Sequence, residues 1–321
     1  MKKVVYVTGC SGFIGAYVTQ ACLDQGWYVI GVDKMTYASQ PKRILDWEKR
    51  YGTLFKFIQS DINDLKSLYD CDYVINTAAE THVDNSIVSS DEFLHSNING
   101  VKHLLELIRQ KNKFQMPILL HFSTDEVYGD IVEGSHSETD LLKPSNPYSA
   151  TKAAADMLIS AWARTFKLPY IIVRPTNNYG IGQYVEKLIP KTCKYITLER
   201  KVPLHQGGTP RRIWLHAKDT ANAIITIINA GVVNNIYNIS GTEEYANIDI
   251  VQKIHSLMLN RGTQRSDWKE HICDFTYHRE GQDVRYSLDD SKLRKLGWNA
   301  VCKLDKELPN VVEYYQRNFI W

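Results

Sequence analysis

Tyr148 and Lys152 stand four positions apart, the spacing that puts two side chains on one face of a helix. A phenol of pKa about 10 needs about 4 kcal/mol of help to act as a base near neutrality. An ammonium at roughly 4 Å supplies a similar amount at an effective dielectric of about 20. Upstream, Ser123-Thr124-Asp125-Glu126-Val127-Tyr128-Gly129 sets a hydroxyl beside two adjacent carboxyls. Thr124 can bond a substrate hydroxyl. Asp125 and Glu126 can divide acid and base roles if one keeps its proton and the other loses it. Taken singly, a Tyr-x-x-x-Lys pair is a common surface pair and an Asp-Glu dipeptide is a common turn or cap, so the surrounding elements decide.

Those elements begin with a glycine turn. The run Val4-Val5-Tyr6-Val7 leads into Thr8-Gly9-Cys10-Ser11-Gly12-Phe13-Ile14-Gly15, a G-x-x-G-x-x-G spacing between a strand and a helix. Gly9 suits the tight turn, Gly12 lets a pyrophosphate approach the backbone, and Gly15 lets the helix pack on the strand. The first N–H groups of the helix, from Phe13 and Ile14 on, then face the phosphates. Asp33 closes the second strand-like run, where a carboxylate accepts hydrogen bonds from an adenosine ribose and repels a 2′-phosphate. This predicts NAD as cofactor, although the adjacent Lys34 leaves room for NADP. Asp61-Ile62 follows the third strand-like run, placed to reach the adenine or simply to turn the chain.

The alternation behind these motifs predicts a doubly wound α/β fold of Rossmann type. Strands are expected at residues 4–8, 27–33, 54–59, 73–76, 117–123 and 170–174. Helices are expected at 13–25, 92–110 and 149–166. Nearly continuous apolar strands alternating with helices imply a parallel sheet covered on both faces. Beyond Pro175 the spacing becomes irregular, with Gly, Pro and Asn in the loops. We therefore expect a cofactor domain at 1–177 and a mainly substrate-binding domain at 178–321, with a late strand at 236–239 able to rejoin the main sheet.

Composition agrees with a globular enzyme. The 321 residues are 44% hydrophobic, and 38 Lys and Arg oppose 36 Asp and Glu for a net charge of +2. That balance gives no footprint for nucleic acid or an anionic membrane. Six cysteines without C-x-x-C or zinc-like spacing predict reduced thiols, no metal site and a cytoplasmic location. The amino-terminal apolar run is too short for a secretory leader, and the apolar stretch at 223–230 is too short to span a bilayer.

With these motifs in place, the chain resembles the nucleotide-sugar 4,6-dehydratases of the extended short-chain dehydrogenase/reductase superfamily, nearly end to end. The resemblance rests on Asp33-Lys34-Met35-Thr36-Tyr37, Ala78-Ala79-Glu80-Thr81-His82-Val83-Asp84 and the Ser123–Gly129 stretch. It continues through Asn146-Pro147-Tyr148-Ser149-Ala150-Thr151-Lys152 and Asn177-Asn178-Tyr179-Gly180, followed by Glu186-Lys187-Leu188-Ile189-Pro190. The Thr-Asp-Glu triplet discriminates, because epimerases and reductases of the superfamily usually lack the acid pair.

The resemblance implies a mechanism. Tyr148 takes the proton of the sugar 4-hydroxyl while hydride leaves C4 for NAD⁺. Glu126 removes the C5 proton, Asp125 protonates the departing 6-hydroxyl, and hydride returns to C6. The result is a lyase making a 4-keto-6-deoxy sugar from a nucleotide sugar. It also implies that Thr36, Ala78, Ala79 and Glu80 join the cofactor site. Thr81, His82, Asn178, Lys187, Leu188, Pro203, His205, Arg212, Asn247 and Arg279 are implied to hold the substrate. The family expectation is a homodimer through the long helices.

Three positions depart from the pattern: Cys10 replaces a glycine, Arg212-Ile213-Trp214 replaces Arg-Asp-Trp, and His278-Arg279-Glu280-Gly281 lacks the Asp and Pro of the late segment. His205, where many dTDP-glucose enzymes carry Tyr, is more similar to the dehydratase half of UDP-rhamnose synthases. UDP-glucose is therefore the expected substrate, with dTDP-glucose next. The rivals are a nucleotide-sugar 4-epimerase or decarboxylase, which would not need Asp125 and Glu126, and a cofactor-binding regulatory or scaffold protein.

Overall fold

In the computed structural model, which describes residues 2–259 and 266–318, the chain opens with β1 (Val4–Thr8), α1 (Phe13–Asp24), β2 (Tyr28–Asp33), α2 (Pro41–Tyr51) and β3 (Phe55–Gln59). Then come β4 (Tyr73–Asn76), α3 (Val83–Val88), α4 (Asp91–Phe93), a π-helical segment (Leu94–Asn99), α5 (Gly100–Arg109), β5 (Ile118–Phe122), α6 (Pro147–Phe166) and β6 (Tyr170–Pro175). The remainder runs β7 (Asn177–Tyr179), α7 (Leu188–Thr197), β8 (Val202–Pro203), β9 (Arg211–His216), α8 (Ala217–Ala230), β10 (Asn235–Ile239), β11 (Glu243–Ala246) and α9 (Asn247–Met258). It closes with α10 (Trp268–Ile272), β12 (Cys273–Asp274), α11 (Ser291–Arg294) and α12 (Leu304–Arg317).

Seven strands form one sheet in the order β10-β6-β5-β4-β1-β2-β3, and every pairing in it is parallel. β10 comes back from the second half of the chain to pair with β6, Ile236 opposite Ile172. Both faces are covered, which is why the strands read as apolar runs. Ala16, Val18 and Cys22 of α1 and Ile224 and Ile227 of α8 pack on one face. Leu104 and Ile108 of α5 and Ala155 and Ile159 of α6 pack on the other. Strand order reverses between β1 and β4, so the crevice at their carboxyl ends is the fold's natural ligand position.

The second half builds a smaller body. β11, β9 and β7 make a mixed sheet, and α7, α9 and α12 close on it around Ile189, Ile250, Leu308 and Val312. β8 and β12 pair separately.

Three of the differences from expectation have a visible physical cause. α2 has no counterpart in the expected pattern, because it is strongly charged and buries only Ile44 and Trp47. α6 starts two residues earlier than the apolar pattern suggests. Asn146 accepts from Ser149 N at 2.9 Å, Ser149 Oγ accepts from Asn146 N at 3.2 Å, and Pro147 occupies the first turn, a capping box that fixes the start. The helix expected at 92–110 contains the π segment, whose wider turn carries Asn97, fully buried. Its amide accepts from Glu80 N at 2.9 Å and donates to Glu80 O and Thr151 Oγ, both at 3.0 Å. π turns of this kind concentrate at functional sites.

Cys10, the departure in the glycine turn, is fully buried and has its own accommodation. A Cβ on Gly31 of β2 would lie 2.8 Å from Cys10 Sγ, so the missing side chain at 31 makes room for the extra one at 10. Gly31→Ala is expected to cost about 1–3 kcal/mol through overpacking. Adding Cys10→Gly should return most of that loss in urea unfolding. Additive losses would show that the two positions do not share the space.

Candidate active site

The glycine turn sits at the crevice between β1 and β4. Gly9 has φ +69°, and a Cβ there would meet Ala78 N at 2.7 Å. A Cβ on Gly15 would lie 2.0 Å from Gly9 O. α1 opens at Gly12 with no side-chain cap, leaving its first N–H groups for an anion. Asp33, buried at the end of β2, accepts from Ser11 N at 2.9 Å, Met35 N at 2.8 Å and Ser39 Oγ at 2.8 Å. It therefore ties the glycine turn to the loop after β2, a task the sequence did not disclose. Gly9, Gly12, Asp33, Lys34, Thr36, Asp61, Ile62, Ala78, Ala79 and Glu80 line one crevice. Phe13, Ile14 and Gly15 line its continuation toward Thr124 and Tyr148.

Lys34 is not poised for a second phosphate. Its ammonium lies 3.5 Å from Glu80 and 3.9 Å from both Asp61 and Glu92. Asp61 also turns the chain, accepting from Asn63 N at 2.9 Å.

The continuation of the crevice carries the acid pair. Thr124 Oγ caps the short 3₁₀ turn after β5, accepting from Glu126 N at 3.3 Å, and donates to Asp125 Oδ1 at 3.1 Å. Asp125 is 4% exposed, and its Oδ2 is buried without a hydrogen-bond partner. Burial, then repulsion from Glu126, pushes its pKa up to about 7. Glu126 is raised too, first by burial, but Arg212, Asn146, Lys187 and Arg279 all favour its ionised form. Asn146 Nδ2 donates to it at 3.5 Å. The environment thus separates the pair: Asp125 retains a proton more readily, and Glu126 loses one more readily.

Tyr148 and Lys152 share the inner face of α6, both buried. Their electrostatics differ from the expected arrangement. Burial raises the Tyr148 pKa well above the ordinary phenol value, and Glu126 adds to it, while a hydrogen bond with Thr124 opposes. Lys152 is pulled down to about 8 by burial, with Asp156 opposing. Its Nζ donates to Phe122 O at 2.6 Å and lies 3.4 Å from His121 Nε2. Lys152 is therefore directed at β5, not at the phenol, and does not by itself bring Tyr148 into the neutral range. The shared helix face was legible in the spacing. The carbonyl that captures the lysine was not.

All of the residues assigned to substrate by resemblance line one cleft of about 1080 Å³: Thr81, His82, Asn178, Lys187, Leu188, Pro203, His205, Arg212, Asn247 and Arg279. Glu126 lines it as well, so the cleft opens onto the acid pair. Arg212 is 7% exposed and fixed by the carbonyls of Arg211 at 2.7 Å and Asp283 at 3.1 Å. Its guanidinium lies 4.2 Å over the Tyr286 ring. Arg279 spends its fork on Asp84, with Nε to Oδ1 at 2.6 Å and Nη2 to Oδ2 at 2.9 Å. Asp84 thus joins the cleft across 195 positions of sequence, a partnership with no local signal. Burial raises the Asp84 pKa, but the neighbouring His205 imidazole, 3.8 Å away, and the two hydrogen bonds from Arg279 outweigh it and hold the carboxyl well below its usual range. Sequence reasoning also missed Gln183, Lys191 and Tyr286 in the lining.

Behind the site, Asp156 of α6 and Arg174 of β6 form a buried pair. Arg174 Nε and Nη2 donate to Asp156 Oδ2 at 3.0 and 2.9 Å, and Nη1 donates to Tyr128 Oη at 2.6 Å. Ser123 Oγ donates to the same carboxylate at 3.0 Å.

Fold and crevice define a Rossmann-type enzyme of the extended short-chain dehydrogenase/reductase kind. Comparisons with known proteins sharpen this. Residues 6–310 match the family model described as GDP-mannose 4,6 dehydratase. A dTDP-glucose 4,6-dehydratase of Neisseria meningitidis is 37% identical, covering 100% of this chain and 95% of that one. A trifunctional UDP-glucose 4,6-dehydratase, epimerase and reductase of Arabidopsis thaliana is 35% identical over 99% of this chain and 48% of its own length. Among solved structures, the dTDP-glucose 4,6-dehydratase DesIV of Streptomyces venezuelae, with NAD bound, superposes with a TM-score of 0.89 at 31% identity, covering 98% of this chain and 97% of that one. The chain belongs to the nucleotide-sugar 4,6-dehydratase family.

The buried pair behind the site makes a stability prediction. Arg174→Met alone should cost about 3–5 kcal/mol, because Asp156 is left buried without its counter-ion. Arg174→Met combined with Asp156→Leu should recover most of it in denaturant unfolding. A double variant no more stable than the single one would mean that the pair is not compensated as a unit.

Proposed function

We propose that this protein converts a nucleoside-diphosphoglucose to its 4-keto-6-deoxy derivative, using tightly bound NAD. The observation that carries the reading is the Asp125–Glu126 pair, differently poised and placed where the crevice of the glycine turn meets the cationic cleft. Epimerases and decarboxylases need no such pair at the carboxyl end of β5.

The residues present fit NAD. Gly9 and Gly15 leave a cradle that any Cβ would fill, the α1 amino terminus is uncapped, and Asp33 ends β2 as a buried carboxylate. Three carboxylates around Lys34 leave that lysine offset rather than available to a 2′-phosphate, which supports NAD over NADP. Bound there, NAD would accept the hydrogen lost from the sugar C4 and give it back at C6. The chain's own residues do the rest. Arg212, Lys187 and Arg279 hold the diphosphate. Thr124 bonds the 4-hydroxyl, and Tyr148 takes its proton, with Lys152 one turn further along α6. Once C4 is a ketone, Glu126 removes the acidified C5 proton. Asp125 delivers a proton to the 6-hydroxyl, which leaves as water, and C5 regains a proton as hydride arrives at C6.

Of the two pyrimidine nucleotides, dTDP-glucose now stands first, because bacterial relatives spanning nearly the whole chain are dTDP-glucose 4,6-dehydratases. UDP-glucose is the second reading. It rests on His205, which lines the cleft with its Nε2 3.8 Å from Asp84, and on the plant relatives.

Incubation with dTDP-glucose and UDP-glucose should yield a product lighter by one water, seen by mass spectrometry, with the faster substrate naming the base. No water loss from either would sink the reading. Asp125→Asn combined with Glu126→Gln should accumulate reduced-cofactor absorbance with little dehydrated product, since elimination needs both carboxyls and C4 oxidation needs neither.

The pH dependence has a definite sign. Asp125 works protonated, and its pKa is raised to about 7. The contribution of Asp125 is therefore complete below that value and is lost as pH rises through it. The kcat profile should show an alkaline limb near pH 7. Asp125→Asn should lose about 10²-fold or more in kcat, and its residual rate should lack the limb.

A further inference from the structure

His121, fully buried in β5, has no part in the reaction above. It belongs to a polar row crossing three adjacent strands. Thr8 of β1 is the register partner of Asn76 of β4, and Asn76 of His121. Thr8 Oγ donates to Asn76 Oδ1 at 2.6 Å, Asn76 Nδ2 meets His121 Nδ1 at 3.0 Å, and His121 Nε2 lies 3.4 Å from Lys152 Nζ. Thr8, Asn76 and His121 are each 0% exposed and Lys152 is 3% exposed. Apolar residues would fill this strand interior at less cost, since every buried polar group must find a partner. The row therefore asks for a functional reason.

The row has a direction. The Thr8 hydroxyl gives its hydrogen to the Asn76 carbonyl, which turns the amide nitrogen toward the imidazole. An amide nitrogen only donates, so Nδ1 accepts. Burial, then the neighbouring Lys152, push the His121 pKa well below its ordinary value, so the ring is neutral and its hydrogen sits on Nε2. That N–H faces Lys152. An ammonium presents only hydrogens to it, whereas an amine presents a lone pair and still donates to Phe122 O.

We propose that His121, oriented by Asn76 and Thr8, is a positioning residue that aims Lys152 and biases it toward the neutral amine. The proposal deepens the Tyr148–Lys152 reading given above and rests on it. The charged and titratable groups around the lysine are Asp156 on α6, itself paired with Arg174 of β6, Tyr148 one turn earlier, and His121 from β5. Asp125 and Glu126 bear on Tyr148. Asp156 favours the ammonium, while burial and the His121 N–H oppose it. Phenol plus amine holds as many protons as phenolate plus ammonium. The pair thus becomes basic by a net move of one proton, breaking the Tyr148 O–H bond and forming an N–H bond at Lys152, with no proton drawn from solvent.

Three measurements test this. Imidazole ¹⁵N NMR of the native protein should show His121 neutral and protonated on Nε2 from pH 5 to 9. The Lys152 titration, followed by ¹³Cε NMR, should move up by about one pH unit in His121→Leu and return most of the way in His121→Gln, whose amide can still donate. In the Asp125→Asn/Glu126→Gln background, which isolates C4 oxidation, cofactor reduction should rise with pH through the Lys152 titration. His121→Leu should move that limb up by about one unit, making the rate about tenfold lower below it with nucleotide-sugar affinity unchanged. A ring protonated on Nδ1, or a Lys152 titration unmoved in His121→Leu, overturns the proposal, and the ring measurement decides even if that variant does not fold. If no nucleotide sugar reduces cofactor in any variant, the functional reading fails, and the two NMR measurements still decide the role of His121.

Discussion

At Gly9 the end of β1, the start of α1 and the end of β4 meet with no space for a side chain. A Cβ at 9 would meet Ala78, and one at 15 would meet the Gly9 carbonyl. Everything chemical depends on that convergence. It brings the carboxyl ends of β1, β4 and β5 into neighbouring register, so that Asp33, the 78–80 loop and the Thr124-Asp125-Glu126 turn border one continuous crevice. A parallel sheet gathers strand ends on one edge by construction. The three glycines let a diphosphate-sized group come close enough to use that edge.

The second lobe is held to this edge by polar contacts. Arg279 reaches Asp84 of α3, Lys187 donates to Thr81 O at 2.8 Å, and Arg43 Nη2 donates to Ile181 O at 3.1 Å. Such contacts fit a cleft that must admit a charged substrate. They also change how Arg279 is read. Its guanidinium is held by a carboxylate, so its orientation in the cleft is fixed in advance, and in the role proposed for it less conformational entropy would be lost on binding. Arg212 is fixed in a different way, by backbone carbonyls and the face of Tyr286. Its charge therefore remains directed at the carboxyls and at the cleft.

Much of this was legible in the sequence, for physical reasons. Strands buried on both faces must be apolar runs, so β1, β4 and β5 were found within a residue or so of their ends. Glycines spaced across a strand–helix junction mark a close approach of backbone, because a side chain there would keep the two elements apart. The four-residue spacing of Tyr148 and Lys152 set them on one helix face whatever the rest of the chain did. The rest was not legible because it depends on partners distant in sequence or on local irregularity. Asp84 gives no hint of Arg279. Asn97 lies in a π segment that an amphipathic pattern reads as ordinary helix. α2 carries too few apolar residues to announce itself. Lys34 looked available to a second phosphate until Glu80, Asp61 and Glu92 were seen around it. His121 read as one more residue of a buried strand, because its meaning lies in register with Asn76 and Thr8.

The electrostatics of the site have one common cause. Asp125, Glu126, Tyr148 and Lys152 are all displaced toward their uncharged forms, and burial is the first reason for each. A site built this way holds its acids and bases neutral and close to one another, so that little solvent must reorganise when protons move. The fixed cations, Arg212 chief among them, then decide which carboxyl ionises first. Asp125 has a buried oxygen without a hydrogen-bond partner, whereas Glu126 has Asn146 and three cations in its favour. Two adjacent residues of nearly identical chemistry are thereby poised differently by what surrounds them, and the elimination proposed above rests on that asymmetry.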